Sequence, residues 1–105
     1  MGKASRDKGK RGELELASVL RSHGYDCRRG QQYRGGVGSP DVVGLAGIHI
    51  ECKRVERLDL AAAMAQAVRD CAANRLPAVF HRRSRAPWLV TMRLDDWLAL
   101  YGKER

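Results

Sequence analysis

Gly38-Ser39-Pro40-Asp41-Val42-Val43-Gly44-Leu45-Ala46-Gly47-Ile48-His49-Ile50-Glu51-Cys52-Lys53 is the stretch that decides the fold. It divides into two short apolar strands joined by a turn. Asp41, Val42 and Val43 follow Pro40 as the first strand. Gly44 and Gly47 bracket the turn, and Ile48 to Lys53 is the second strand. Val and Ile suit a pleated surface, and glycine supplies the turn backbone. Alternation along the second strand puts His49, Glu51 and Lys53 on one face and Ile48, Ile50 and Cys52 on the other. A carboxylate and an ammonium thus leave one strand side by side, and the neighbouring strand can bring Asp41 to them.

Such a cluster suits metal-assisted hydrolysis of a phosphodiester. Carboxylates are hard oxygen ligands for Mg²⁺, which takes one or two of them and keeps several waters. The ion polarises the phosphate and acidifies a bound water, and a lysine beside it can orient that water or offset charge. The backbone carbonyl of Cys52 offers a further oxygen. Pro40-Asp41 followed by Glu51-Cys52-Lys53, with nine residues between Asp41 and Glu51, resembles the PD-(D/E)xK nuclease signature. Upstream, Lys8-Gly9-Lys10-Arg11-Gly12-Glu13 is similar to the helix start of archaeal-type Holliday junction resolvases and related phage nucleases. The resemblance implies that Glu13, Asp41 and Glu51 bind metal and that Lys53 is catalytic. It also implies a restriction-endonuclease-like core. Each motif alone is short and common, and a buried Glu–Lys pair beside a Pro-Asp turn is the plain structural alternative.

The remaining composition agrees with a partner of negative charge. Twenty Lys and Arg against twelve Asp and Glu give a net charge of +8. The basic residues cluster, with Lys3, Arg6, Lys8, Lys10 and Arg11 leading the chain. Arg28, Arg29 and Arg34 flank the loop before the motif, and His81, Arg82, Arg83 and Arg85 crowd a later turn. Aromatic residues do not interleave with them, which favours duplex phosphates over a single-strand stacking platform. The length of 105 residues gives one compact domain. No apolar run is long enough for a membrane span and no signal segment leads the chain, so a cytoplasmic location is expected. The three cysteines, Cys27, Cys52 and Cys71, are widely spaced without a Cys-x-x-Cys pair, which argues against a zinc ribbon and for reduced thiols.

Taken in order, residues 1 to about 10 lack apolar periodicity and are predicted to be a mobile basic arm. Gly12 to about His23 is predicted as the first helix, with Leu16, Ala17, Val19 and Leu20 on one side. Glu13 falls on that side, where an unpaired carboxylate is costly and needs a metal or a cation. Glu15 falls on the polar side and reads as a solvated surface charge. Tyr25 to Arg29 is a strand, and the loop from Gly30 to Ser39 is rich in glycine. Within it Gln31, Tyr33, Arg34 and Ser39 are candidate phosphate contacts, joining Lys8, Lys10, Arg11, Arg29 and Arg54 elsewhere. That loop lacks the strand-before, helix-after order of a dinucleotide fingerprint. A helix from about Leu58 to Asn74 follows, with Leu60, Met64, Ala67, Val68 and Cys71 as its apolar stripe. Related nucleases often carry a Gln on this helix near the active site, a place that Gln66 fits by resemblance. Strands at Leu76–His81 and Trp88–Met92 and a helix at Leu94–Tyr101 complete the chain, with Trp97, Leu98 and Tyr101 expected to pack inward or, where exposed, to form a subunit contact.

These readings converge on an α/β fold, a mixed β-sheet flanked by helices. The expected function is a Mg²⁺-dependent DNA endonuclease, with Mn²⁺ able to substitute, similar to a Holliday junction resolvase and thus tied to DNA recombination and repair. A homodimer is expected, because two symmetric cuts need two related sites. A nickase or repair nuclease on other DNA structures, a basic DNA-binding module without catalysis, and an interaction subunit of a larger complex are the rival readings.

Overall fold

The computed structural model describes residues 3–30 and 39–103, with side chains from Lys8 onward. Three helices and five strands follow in the order α1 (Lys3–Ser22), β1 (Arg28–Arg29), β2 (Val42–Val43), β3 (Ile48–Arg54), α2 (Leu60–Asp70), β4 (Leu76–Arg82), β5 (Leu89–Thr91) and α3 (Leu94–Lys103). The strands form one mixed sheet in the order β1-β2-β3-β4-β5. The β2–β3 hairpin is antiparallel, with Val42 opposite Ile50. Gly44 and Gly47 of its turn both adopt positive φ, a conformation glycine reaches without steric cost. β3 and β4 are parallel over seven residue pairs, from Ile48–Leu76 to Arg54–Arg82. A parallel pair needs a long crossover, and α2 provides it.

That register sorts the two faces of the sheet. Ile50 and Cys52 of β3 stand beside Ala78 and Phe80 of β4 and pack with Leu16 and Ala17 of α1, together with Cys27 and Val42. Val79 faces the other way and packs against Ala63 and Ala67 of α2. His49, Glu51 and Lys53 share the face of Val79 by alternation. α1 therefore covers one side of the central strands and α2 covers the other. Asp59 caps α2, its Oδ1 accepting from the Ala62 amide at 3.0 Å. Gly12 lets α1 lie close to the end of β3: a Cβ built there falls 2.5 Å from Cβ of Arg54.

Two predicted elements come out shorter, β1 confined to Arg28–Arg29 instead of Tyr25 to Arg29 and α2 stopping at Asp70, where Cys71 turns extended, instead of about Asn74; two others depart further. The sequence predicts an irregular arm through residue 10, whereas α1 already begins at Lys3. Once the turns that pack on the sheet have formed, each further residue adds a hydrogen bond with no new nucleus, so a basic stretch without apolar periodicity can join. α3 departs more sharply. It buries none of its side chains, and Trp97, Leu98 and Tyr101, expected to face inward, are exposed. Its amphipathic pattern called for a partner surface, and α1 and α2 already cover the two faces of the central strands. All three cysteines are free. Among the described residues, no helix is long and apolar enough to cross a membrane.

Candidate active site

The β2–β3 pairing does not continue beyond Val42–Ile50, so among the described residues the last residues of β3 have no strand on that side. The Asp41 amide still donates to the Ile50 carbonyl at 2.8 Å. The Cys52 amide would be the next ladder donor, and the Asp41 carboxylate replaces the missing strand: Oδ2 accepts from it at 2.8 Å. A buried backbone N–H must find an acceptor, so this bond fixes the carboxylate of Asp41 beside Glu51 and Lys53.

A cleft of about 500 Å³ opens here, lined by Lys8, Gly9, Glu13, Asp41, Glu51, Cys52, Lys53, Arg54, Val55 and Gln66. α1 and α2, from opposite faces of the sheet, both reach it. The three carboxylates are nearly removed from solvent, with Glu13 and Asp41 each 8% exposed and Glu51 3%. Buried carboxylates need partners. Glu51 lies 3.4 Å from Nε2 of the buried His49. Glu13 accepts a charge-assisted bond of 2.7 Å from Nε of Arg29. Burial nevertheless raises the Glu13 pKa above its ordinary value; Arg29 opposes that shift, and Glu51 adds to it. Lys53 donates from Nζ to Oε1 of Gln66 at 3.3 Å, so α2 holds the ammonium in the cleft. Burial, reinforced by Asp41, pushes the Cys52 thiol far up, so the neutral side chain serves as core while its carbonyl belongs to the strand end.

Glu13, Asp41, Glu51, Cys52, Lys53 and Gln66, named from the sequence, are thus brought to one cavity. In chemical type, Asp41 and Glu51 with a backbone carbonyl form a hard-oxygen set that suits a Mg²⁺ keeping several waters. Among the described residues, no three His, Cys, Asp or Glu side chains close together as a metal cluster. Of the expected phosphate contacts, Lys8 and Arg54 line the cleft, Lys10 and Arg11 are exposed on α1, and Ser39 is half-buried. Gln31, Tyr33 and Arg34 lie outside the described residues.

Four pairings were missed. Arg29, expected on phosphate, is the partner of Glu13. Glu15, expected as a solvated charge, bridges Nε of Arg54 at 3.1 Å and Nη1 of Arg82 at 2.6 Å. It thereby ties α1 to the ends of the parallel strands. His49 had no assigned role, although its place two residues before Glu51 on the same strand face already signalled contact.

A family model described as archaeal Holliday junction resolvase (Hjc) matches residues 4–99. The chain belongs to that family. A Holliday junction resolvase is a nuclease of branched DNA, so the cleft of this resolvase-family chain is a place to look for phosphodiester chemistry. The fold is similar to that of Hjc from Archaeoglobus fulgidus, a Holliday junction resolvase from an archaeal hyperthermophile. The TM-score is 0.56 and the identity 24%, over 81% of this resolvase-family chain and 72% of the other. A search of curated protein sequences returned no match.

Proposed function

We propose that this chain is a Mg²⁺-dependent endonuclease that cuts branched DNA, with the four-way junction as its preferred substrate. The observation that carries the reading is the gathering of Asp41, Glu51 and Lys53 in one cleft of a resolvase-family chain. Asp41, Glu51 and the carbonyl of Cys52 would hold the ion, with Glu13 as a further oxygen donor. When bound, Mg²⁺ supplies polarisation of the phosphate and a more acidic water, and Mn²⁺ serves the same chemistry.

The chain's own groups do the rest. Asp41 is oriented by the Cys52 amide, and Glu51 is held beside His49. Lys53, steadied by Gln66, places a positive charge where a phosphorane-like transition state gains negative charge. Lys8, Lys10, Arg11 and Arg54 lie along the approach and attract the DNA backbone. A homodimer is part of this reading. Leu94, Trp97, Leu98 and Tyr101 on α3 are exposed apolar side chains suited to burial against a second copy, and the edge strand β5 exposes Leu89 and Val90, one on each face of the sheet.

Labelled four-way junction, fork, duplex and single strand are incubated with the protein, with and without Mg²⁺. Cleavage of the junction above the others, only with metal and not by Asp41→Asn or Glu51→Gln, is the expected result. Preferential cutting of a fork or plain duplex would favour a repair nuclease. Binding without cleavage under every metal would favour a DNA-binding module.

A further inference from the structure

A second cavity, about 460 Å³, adjoins the cleft and shares Lys8 and Arg54 with it; Arg11, Gly12, Glu15, Glu56 and Ser84 complete its lining. It joins the first half of α1, the end of β3 and the turn between β4 and β5. We propose that this cavity is a second binding site for a DNA backbone phosphate, and that the Glu56 carboxylate is the phosphate's internal competitor there. The inference rests on the reading of the chain as a DNA-binding nuclease.

The donors around Glu56 carry the argument. Its Oε2 accepts from the Ser84 amide at 2.9 Å and from the Ser84 hydroxyl at 2.7 Å. Nη1 of Arg54 lies 3.6 Å from the same oxygen. A backbone N–H, a hydroxyl and a guanidinium aimed at one anionic oxygen are what a phosphate oxygen requires. The two Ser84 bonds hold the Glu56 carboxyl below its ordinary pKa, so the group they surround is an anion. Glu56 is exposed, so water can take over its hydrogen bonds when it leaves. Lys8 and Arg11 are exposed beside it and form no ion pair among the described residues. Glu15 is already committed to Arg54 and Arg82, which leaves Glu56 as the carboxylate a phosphate would displace. Because Lys8 and Arg54 border both cavities, a strand whose reacting phosphate enters the cleft runs its neighbouring phosphates toward Ser84.

The test is affinity for a labelled four-way junction in EDTA, read by anisotropy, with folding checked by circular dichroism. Glu56→Gln keeps the length of the side chain and one acceptor for Ser84 while removing the charge. It is expected to bind about five- to tenfold tighter, the effect of taking one like charge out of contact with a phosphate. Asp95→Asn removes the same charge from an exposed position on α3 that does not line this cavity, and should change affinity less than about twofold, since salt screens exposed charges that are not in contact with the phosphate. Glu56→Gln combined with Ser84→Ala should lose most of the gain, as should Glu56→Gln combined with Arg11→Ala. Equal affinity for Glu56→Gln and the parent overturns the site, as does a gain no larger than that of Asp95→Asn. So does a gain that survives both second substitutions. Parental binding without the gain sinks this site alone, whereas no parental binding to any DNA sinks the underlying nuclease reading as well.

Discussion

At the end of β3 three carboxylates are withdrawn from water; along β5 and α3, large apolar side chains stand in it. Glu51 is 3% exposed, and Leu94 is 68% exposed. Each region reverses the ordinary preference of its residues, and each reversal costs stability unless something else meets those groups. The cleft has internal partners for its charges, Arg29, His49 and the Cys52 amide. The apolar side chains of β5 and α3 have no such cover among the described residues, for α3 buries none of its own. An apolar group without cover is a matter of area, and many residues share it. A buried charge without a partner is a matter of single atoms, so the effects of substitution should differ in sharpness.

The largest expected effect lies in the cleft. Lys53→Ala should lower the junction cleavage rate by about a thousandfold, in the range of losing a transition-state donor. Gln66→Ala leaves the ammonium in place but less well aimed, and should cost about tenfold. Single-turnover rates under saturating protein measure both, and equal losses would show that Gln66 does more than position Lys53. A smaller effect is expected at the apolar face. Leu98→Glu should weaken dimerisation by about a hundredfold, the scale of a charge forced into an apolar contact. Sedimentation over a concentration series reads this, and a parent that is monomeric throughout, with or without junction DNA, would remove the face from any subunit contact.

The smallest effects compare two glutamates two residues apart in sequence and on opposite sides of α1. Glu15→Gln should lower stability by about 1 kcal/mol, since its two arginines are partly exposed and solvent screens the pairs. Glu13→Gln should act in the other direction at neutral pH. Burial raises the folded pKa of Glu13, so its contribution favours folding below the ordinary carboxylate value of 4.5 and fades as pH rises through the higher folded value. The metal-free Gln variant should therefore melt above the parent at pH 7, with the difference vanishing toward pH 4. Thermal melts in EDTA across that range decide it, and a parent that gains stability on the variant as pH rises would contradict the sign.

What the sequence disclosed follows the same division. Asp41, Glu51 and Lys53 were legible because strand alternation and one tight hairpin place them, and both are local. The mixed sheet was legible for the same reason, since turn glycines and a helical crossover mark its connections. Arg29 and Arg82 were not legible as partners of Glu13 and Glu15. The pairs are 16 and 67 residues apart, and which arginine meets which carboxylate depends on how α1 lies across the sheet. Gln66 came from family likeness, because its helical position alone does not demand the cleft. The outward face of α3 was legible only as an alternative to inward packing, because an amphipathic pattern states that a partner is needed and not whether the same chain supplies it.

Gly12 has a consequence for anyone seeking a more heat-resistant version of this protein. Replacing glycine with alanine inside a helix ordinarily gains about 0.5–1 kcal/mol, and α1 contains both Gly9 and Gly12 as obvious targets. They are not equivalent. A methyl group at Gly9 meets nothing within 4 Å, whereas at Gly12 it collides with the first carbon of the Arg54 side chain, which cannot swing aside as a chain tip would. The helix would have to lift, and Glu13, the next residue, would lift with it. An engineer reading helix propensity alone would thus harden the molecule at one site and blunt its cutting edge at the other.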